Sequence, residues 1–110
     1  MNNDIGGGTM EVELAADEFW TIWSHSDSDW VVVDVREPEE LEMGKIPGAV
    51  SMPLTLLYQR YPELPTARPL ALVCFSGRRS AEAVEFLIEK GYRAMNVAGG
   101  MLAWPGPVEV

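Results

Sequence analysis

Two short apolar runs constrain the fold of this chain more than any other feature. The first, Trp30–Val35, is rich in β-branched side chains, and the second, Leu70–Val73, is followed at once by the only cysteine, Cys74. Runs in which polar residues do not regularly alternate with apolar ones are typical of parallel strands that are covered on both faces. The sequence therefore predicts a central parallel sheet with helices packed on each side.

The other segments alternate between strand and helix patterns. The predicted strands are Met10–Leu14, Trp30–Val35, Ala49–Met52, Leu70–Val73 and Arg93–Val97. The predicted helices are Asp17–Trp23, Pro38–Met43, Leu54–Tyr61, Ala81–Lys90 and Met101–Trp104. A chain of 110 residues is long enough for one core. We therefore expect a single three-layer α/β domain with a mostly parallel five-stranded sheet and helices on both faces.

The domain is predicted to span residues 10–110. Before it, Met1–Thr9 is polar and glycine-rich, which indicates a flexible leader without a role in the fold. Within two of the predicted helices, apolar residues at helical spacing are expected to face the core. They are Phe19, Trp20 and Trp23 in one helix and Leu56, Leu57 and Tyr61 in another.

Charge and composition exclude several classes of function. The chain carries 8 Lys and Arg against 17 Asp and Glu, a net charge of -9, so we expect no binding to nucleic acid or to an anionic membrane. One cysteine and one histidine exclude an internal disulfide and a multi-cysteine or His-rich metal site. Neither a metal nor another cofactor is therefore expected. His25 lies in a polar stretch and is predicted to be an exposed loop residue.

The sequence also bears on location. No apolar run approaches membrane-spanning length, and the basic and then apolar pattern of a secretion signal is absent. We therefore expect a cytoplasmic location, where the reducing environment would keep Cys74 as a free thiol. We also expect a monomer.

The reactive groups of the chain are concentrated in one loop. Cys74 is followed within six residues by the adjacent cations Arg78 and Arg79 and by the start of a predicted helix. Converging loop amides, the helix dipole and the two arginines would all favour a thiolate that meets an anion. Gly77 can supply the positive φ angle that such a loop needs. The alternatives are a buried, inert cysteine and an i,i+4 ion pair between Arg78 and Glu82.

Four segments together resemble a single-domain rhodanese of the thiosulfate sulfurtransferase family. They are Asp34–Glu40 (DVREPEE), Gly44–Ala49 (GKIPGA), Cys74–Ser80 (CFSGRRS) and Gly99–Trp104 (GGMLAW). The segments occur in the family's order and at its spacing, so the resemblance runs from about residue 10 to the C-terminus.

The resemblance implies a sulfurtransferase. Cys74 would take the sulfane sulfur of thiosulfate or of a persulfide donor and hold it as a persulfide. Cyanide in vitro, or a thiol in the cell, would then accept that sulfur, so the expected partners are a small-molecule sulfur donor and a thiol or protein acceptor. Asp34 and Arg36 resemble a supporting pair of the family. The expected substrate-binding residues are Phe75, Ser76, Gly77, Arg78, Arg79 and Ser80.

Two positions depart from the family pattern. Related loops often carry a basic residue directly after the cysteine, whereas this chain has Phe75. An apolar wall and a weaker preference for thiosulfate are therefore expected. Lys45 stands where many relatives have histidine, and we expect no effect on the chemistry.

Two other classes of function are compatible with parts of the pattern. A cysteine-dependent phosphatase or arsenate reductase needs an arginine six positions after the cysteine, and this chain has Ser80 there. The loop is one residue short for that chemistry, so sulfur transfer is favoured. A non-catalytic or regulatory module that binds a partner, or a sulfur carrier, is the other alternative.

Overall fold

Five strands form one parallel sheet. They are β1 (Glu13–Ala15), β2 (Val31–Asp34), β3 (Val50–Ser51), β4 (Leu70–Val73) and β5 (Ala94–Ala98), in the spatial order β1-β5-β4-β2-β3. Every neighbouring pair is parallel. The computed structural model describes residues 12–25 and 28–110, so the predicted leader Met1–Thr9 and the start of the predicted first strand lie outside the described residues.

Helices cover both faces of the sheet. They are α1 (Ala16–Trp23), α2 (Leu54–Arg60), α3 (Arg78–Glu89) and α4 (Gly100–Ala103), with 3-10 helices at Pro38–Met43 and Tyr61–Glu63. Leu57 of α2 and Leu87 of α3 belong to one hydrophobic core, and Phe19 of α1 belongs to the other. The three-layer α/β architecture is therefore confirmed. Within the described ranges, no helix is both long and apolar enough to cross a membrane.

The two apolar runs become the adjacent central strands β2 and β4. All four residues of each strand are buried. Val33 and Leu72 are partners in register and face one core, whereas Val32 and Ala71, the next pair, face the other. Since successive side chains point to opposite faces and both faces are covered, Val31–Val33 of β2 and all four residues of β4 are apolar, and only Asp34 at the end of β2 is charged.

Helix α3 begins earlier than the sequence pattern indicates. It starts at Arg78 rather than at Ala81. Gly77, with a φ of 98°, precedes it and turns the chain so sharply that the helix begins at the next residue. As a result Arg78 and Arg79 lie in the first turn of α3 and not in the loop.

The prediction of which residues of α2 face the core is wrong for Leu56. Leu57 is fully buried and Tyr61 packs against the same core, but Leu56 is 39% exposed. Leu57 and Tyr61 are four positions apart and therefore share a face, whereas Leu56 is one position before Leu57 and is rotated away from that face.

The aromatic residues of α1 form a cluster beneath the sheet. Phe19 is fully buried, and its ring centroid lies 5.9 Å from that of Trp23 and 5.7 Å from that of Trp30. Trp20 packs edge-on against Trp104 at 5.5 Å. The cluster therefore joins α1 to the segment that follows α4.

Helix α4 packs its first turn against the segment that follows β4. The amide of Met101 donates to the Cys74 carbonyl at 2.9 Å, and the amide of Leu102 donates to the Phe75 carbonyl at 3.0 Å. Gly100 directly precedes Met101 and has a φ of 56°. A Cβ atom there would lie 2.6 Å from the Phe75 carbonyl oxygen and closer still to that of Cys74, so the contact requires glycine.

Replacing Gly100 by alanine should destabilise the protein through this steric clash. Gly48→Ala is a matched control, because Gly48 also has a positive φ (84°) but a Cβ atom there would meet nothing within 4 Å. We expect Gly100→Ala to lower the free energy of unfolding by about 1–3 kcal/mol more than Gly48→Ala does, in the range of overpacking. Urea denaturation measures the difference, and equal losses would contradict the close approach of α4.

Candidate active site

Cys74 directly follows β4, at the carboxyl end of the sheet where ligands of parallel α/β folds gather. Its side chain is fully buried. The sulfur accepts a hydrogen bond from the amide of Gly77 at 3.1 Å and from the amide of Ser80 at 3.4 Å. The Ser80 hydroxyl lies 3.3 Å from the same sulfur and is placed to donate a third bond. The loop and the start of α3 thus surround the sulfur with donors.

These donors favour the thiolate form of the cysteine. Burial by itself raises the pKa of Cys74, but hydrogen bonds from the Ser80 hydroxyl and from the amides of Ser80, Gly77 and Ser76 outweigh burial, and the net pKa lies below the usual thiol value. Hydrogen bonds favour the charged form because that form is the stronger acceptor. The two arginines were expected to contribute to this effect, whereas the main causes are neutral donors.

The backbone of Gly77 packs closely against the backbone of Gly99. A Cβ atom at this position would lie 3.0 Å from the backbone nitrogen of Gly99, and the φ of 98° is one that other residues rarely adopt. Both constraints require glycine at the residue whose amide makes the shortest hydrogen bond to the sulfur.

Asn96 belongs to the site and was missed from the sequence. It is 4% exposed, on β5. Its Oδ1 atom accepts a 2.5 Å hydrogen bond from the Ser80 hydroxyl, and its Nδ2 atom donates to the Gly77 carbonyl at 3.1 Å. A serine has one hydroxyl proton, so Asn96 and the sulfur of Cys74 compete for it. The one signal in the sequence is an asparagine inside the otherwise apolar strand Ala94–Ala98.

Asp34 and Arg36 form a buried ion pair at the carboxyl end of β2. The Nη2 atom of Arg36 lies 2.8 Å from the Asp34 carboxylate. The guanidinium also donates to the carbonyl of Gly44 at 2.9 Å and to that of Glu40 at 3.3 Å. The pair therefore fastens the 3-10 helix Pro38–Met43 beside the sheet.

The two arginines after the loop differ in their surroundings. Arg79 makes a two-pronged ion pair with Glu40, with N–O distances of 2.7 and 2.8 Å. The hydrogen bond from Arg79 lowers the pKa of Glu40 to about 2, and Glu40, with a smaller contribution from Cys74, raises the pKa of Arg79. Arg78 is exposed, and no ion pair with Glu82 or another described residue is present.

The remaining loop residues are exposed at the rim of the site: Phe75 is 48% exposed and Ser76 is exposed. His25 is not part of this loop; it is exposed at the end of α1, where its Nδ1 atom lies 2.6 Å from the Thr21 carbonyl oxygen. In the part of the chain that the structure describes, no three His, Cys, Asp or Glu side chains are grouped to hold a metal ion.

Fold and loop together define a parallel α/β protein with a buried cysteine at a strand end, whose sulfur accepts hydrogen bonds from backbone amides. The sequence matches the rhodanese-like domain family over residues 16–106. It is 35% identical to a sulfurtransferase of Allochromatium vinosum, over 94% of this chain and 89% of that protein. It is 30% identical to the thiosulfate sulfurtransferase GlpE of Pseudoalteromonas translucida, over 69% of this chain and 73% of that protein.

A solved structure agrees with these relatives. The rhodanese-like domain protein of Staphylococcus aureus is similar with a TM-score of 0.83 at 34% identity, over 92% of this chain and 98% of that one. The chain therefore belongs to the rhodanese-like family, and its relatives support a sulfurtransferase or sulfur-carrier role.

Replacing Ser80 by alanine should raise the pKa of Cys74. The change removes the hydroxyl donor and keeps the amide, and a hydrogen bond to the thiolate lowers the pKa of a thiol, so its loss raises that pKa. The pH dependence of iodoacetamide alkylation measures this shift. Ser76→Ala is the control, because only the amide of Ser76 acts on the sulfur, and an equal shift in both variants would contradict a direct effect of the Ser80 hydroxyl.

Proposed function

We propose that this protein is a sulfurtransferase that moves a sulfane sulfur from thiosulfate or a persulfide donor to a thiophilic acceptor through a persulfide on Cys74. The observation that carries the proposal is the set of donors from Gly77 and Ser80 that converge on one buried sulfur. Such a cradle stabilises negative charge on the nucleophile before the reaction and on the bound sulfur after it.

The reaction has two half-reactions. In the first, the Cys74 thiolate forms a bond to the outer sulfur of thiosulfate, the bond between the two donor sulfurs breaks, and sulfite leaves with the electron pair. In the second, cyanide or a thiolate attacks the outer sulfur of the persulfide, and the Cys74 thiolate leaves. Nucleophilic catalysis of this kind divides one transfer into two steps.

The surroundings of the loop favour sulfur over phosphate as the transferred group. The position where a phosphatase needs arginine is Ser80, whose hydroxyl lies against the Cys74 sulfur. Arg79, whose charge interacts with Cys74, is paired with Glu40. Neutral donors at contact distance suit one transferred sulfur. A phosphoryl group has several charged oxygens and requires an arginine at the position that Ser80 occupies here.

The remaining expectations follow from this chemistry. Phe75 to Ser80 would contact the donor, and Asp34 with Arg36 would support the loop indirectly. A reducing compartment such as the cytoplasm would keep the single cysteine available between turnovers.

Mass spectrometry tests the proposal directly. After incubation with thiosulfate the protein should gain the mass of one sulfur atom, and cyanide should then remove it as thiocyanate. Because the chain has one cysteine, the position of the gain is unambiguous, and Cys74→Ser should abolish both signals. Hydrolysis of an aryl phosphate without sulfur uptake would favour the phosphatase. A partner bound equally well by wild type and Cys74→Ser, again without uptake, would favour the binding module.

Replacing Arg79 by alanine should slow sulfur uptake from thiosulfate. The change leaves the Glu40 carboxylate unpaired beside the loop, where it repels the dianionic donor. A partly exposed charge of this kind is expected to change kcat/KM by about fivefold.

Arg68→Ala is the matched control for this variant. Arg68 is also exposed and held by a single backbone carbonyl, that of Asp29 at 2.9 Å, but it precedes β4 and lies away from the loop. Cyanide-coupled thiocyanate formation measures both variants. Equal effects would contradict a role for the charge next to Cys74.

A further inference from the structure

A cavity of about 460 Å³ lies beside the cysteine loop. Phe75, which directly follows Cys74, forms part of its wall. Met101 forms another part, and its amide donates to the Cys74 carbonyl. The cavity therefore begins next to the reactive residue, and its volume is in the range of sites for small organic ligands.

The cavity has an apolar lining that faces solvent. Met43 is 85% exposed, Phe75 is 48% exposed and Val108 is 50% exposed, and all three line it together with Met101. Single exposed apolar residues are ordinary, but several around one concave site indicate a surface that binds an apolar group.

The charged groups of the lining are already paired. Arg36 donates from Nε and Nη2 to Asp34 and from Nη1 to the Glu40 carbonyl. The carboxylate of Glu40 is paired with Arg79. Among the described residues that line the cavity, no cation is left without a partner. A dianion such as thiosulfate gains little from this site, whereas an organic group gains from burial against the apolar wall.

We propose that this cavity holds the organic group of the sulfur donor, so that the protein prefers an organic persulfide or thiosulfonate to inorganic thiosulfate. The inference rests on the proposed sulfurtransferase function and names the class of donor for the same cysteine.

The transfer step is balanced for both kinds of donor. With an organic persulfide, the Cys74 thiolate bonds to the outer sulfur, the donor's S–S bond breaks, and the organic thiolate leaves with the electron pair and takes the proton from the transferred sulfur. With an organic thiosulfonate, the same bond forms, and an organic sulfinate leaves with the electron pair. Neither step needs an oxidant or a reductant.

Three donors separate the effect of the organic group from the effect of charge. Benzenethiosulfonate and methanethiosulfonate are monoanions that differ only in that group, and thiosulfate is the dianion without it. The rate of sulfur gain on Cys74 is measured by mass in a single turnover. Each rate is divided by the rate at which the same donor transfers sulfur to 2-mercaptoethanol, which removes differences in leaving-group reactivity.

We expect the normalised rate to be about tenfold higher for benzenethiosulfonate than for methanethiosulfonate, the effect of partly burying a phenyl ring. Thiosulfate should be the slowest donor. The double variant Met43→Ser/Val108→Ser should remove most of the preference for the phenyl group. The control variant Leu102→Ser/Val110→Ser changes two exposed apolar residues, 67% and 102% exposed, that do not line the cavity, and it should keep the preference.

The outcomes distinguish this inference from the proposed function. Equal normalised rates for the three donors, or the same loss of preference in both double variants, would overturn the role of the cavity while sulfur transfer by Cys74 stands. If Cys74 gains sulfur from none of the donors, the proposed function fails and the inference fails with it.

Discussion

A buried sulfur can carry negative charge only where hydrogen bonds replace the lost water, and the surroundings of Cys74 supply such hydrogen bonds. The donors are the amides of Gly77 and Ser80, joined by the Ser80 hydroxyl, whose one proton the sulfur shares with Asn96. They converge only because the chain takes a left-handed turn at Gly77 and α3 begins at the next residue. The loop is held from behind by α4, which can approach because Gly100 has no side chain. The loop at Gly77, the start of α3 and helix α4 thus together place the donors around the Cys74 sulfur.

The hydrogen bonds to the Cys74 sulfur come from neutral dipoles rather than from charged groups. Two arginines close to the loop, Arg36 and Arg79, are bound to Asp34 and Glu40, and Arg78 is exposed at the start of α3. A free cation attracts every anion over a long range, whereas an amide contributes only at contact distance and in one direction. A site of this kind distinguishes ligands by their shape and hydrogen-bond geometry rather than by long-range attraction. Long-range attraction of anions is not expected of a chain with a net charge of -9.

The local features of the structure were predictable from the sequence, and the long-range ones were not. The apolar runs predicted the central strands β2 and β4, and a cysteine followed by glycine and arginine marked the loop at the end of β4. The pairing of Arg79 with Glu40 joins residues 39 positions apart, and that of Ser80 with Asn96 joins residues 16 positions apart. Neither pair leaves a periodic signal, because the partners meet only after the sheet has formed. The positive φ of Gly77 was expected, but the start of α3 at the next residue was not, because Arg78–Ser80 carries no apolar periodicity.

Burial and hydrogen bonding have opposite effects on the pKa of Cys74, but both strengthen the electrostatic interactions at its sulfur. Burial raises the pKa of the thiol, and the loop donors lower it by more. The same burial removes competing water, so each hydrogen bond to the sulfur acts in a medium of low dielectric constant and is stronger there than at the surface. Phe75 extends this apolar environment to the rim, at the position where related loops often carry a cation. The departure from the family pattern is therefore consistent with the rest of the site, in which neutral donors surround a buried sulfur.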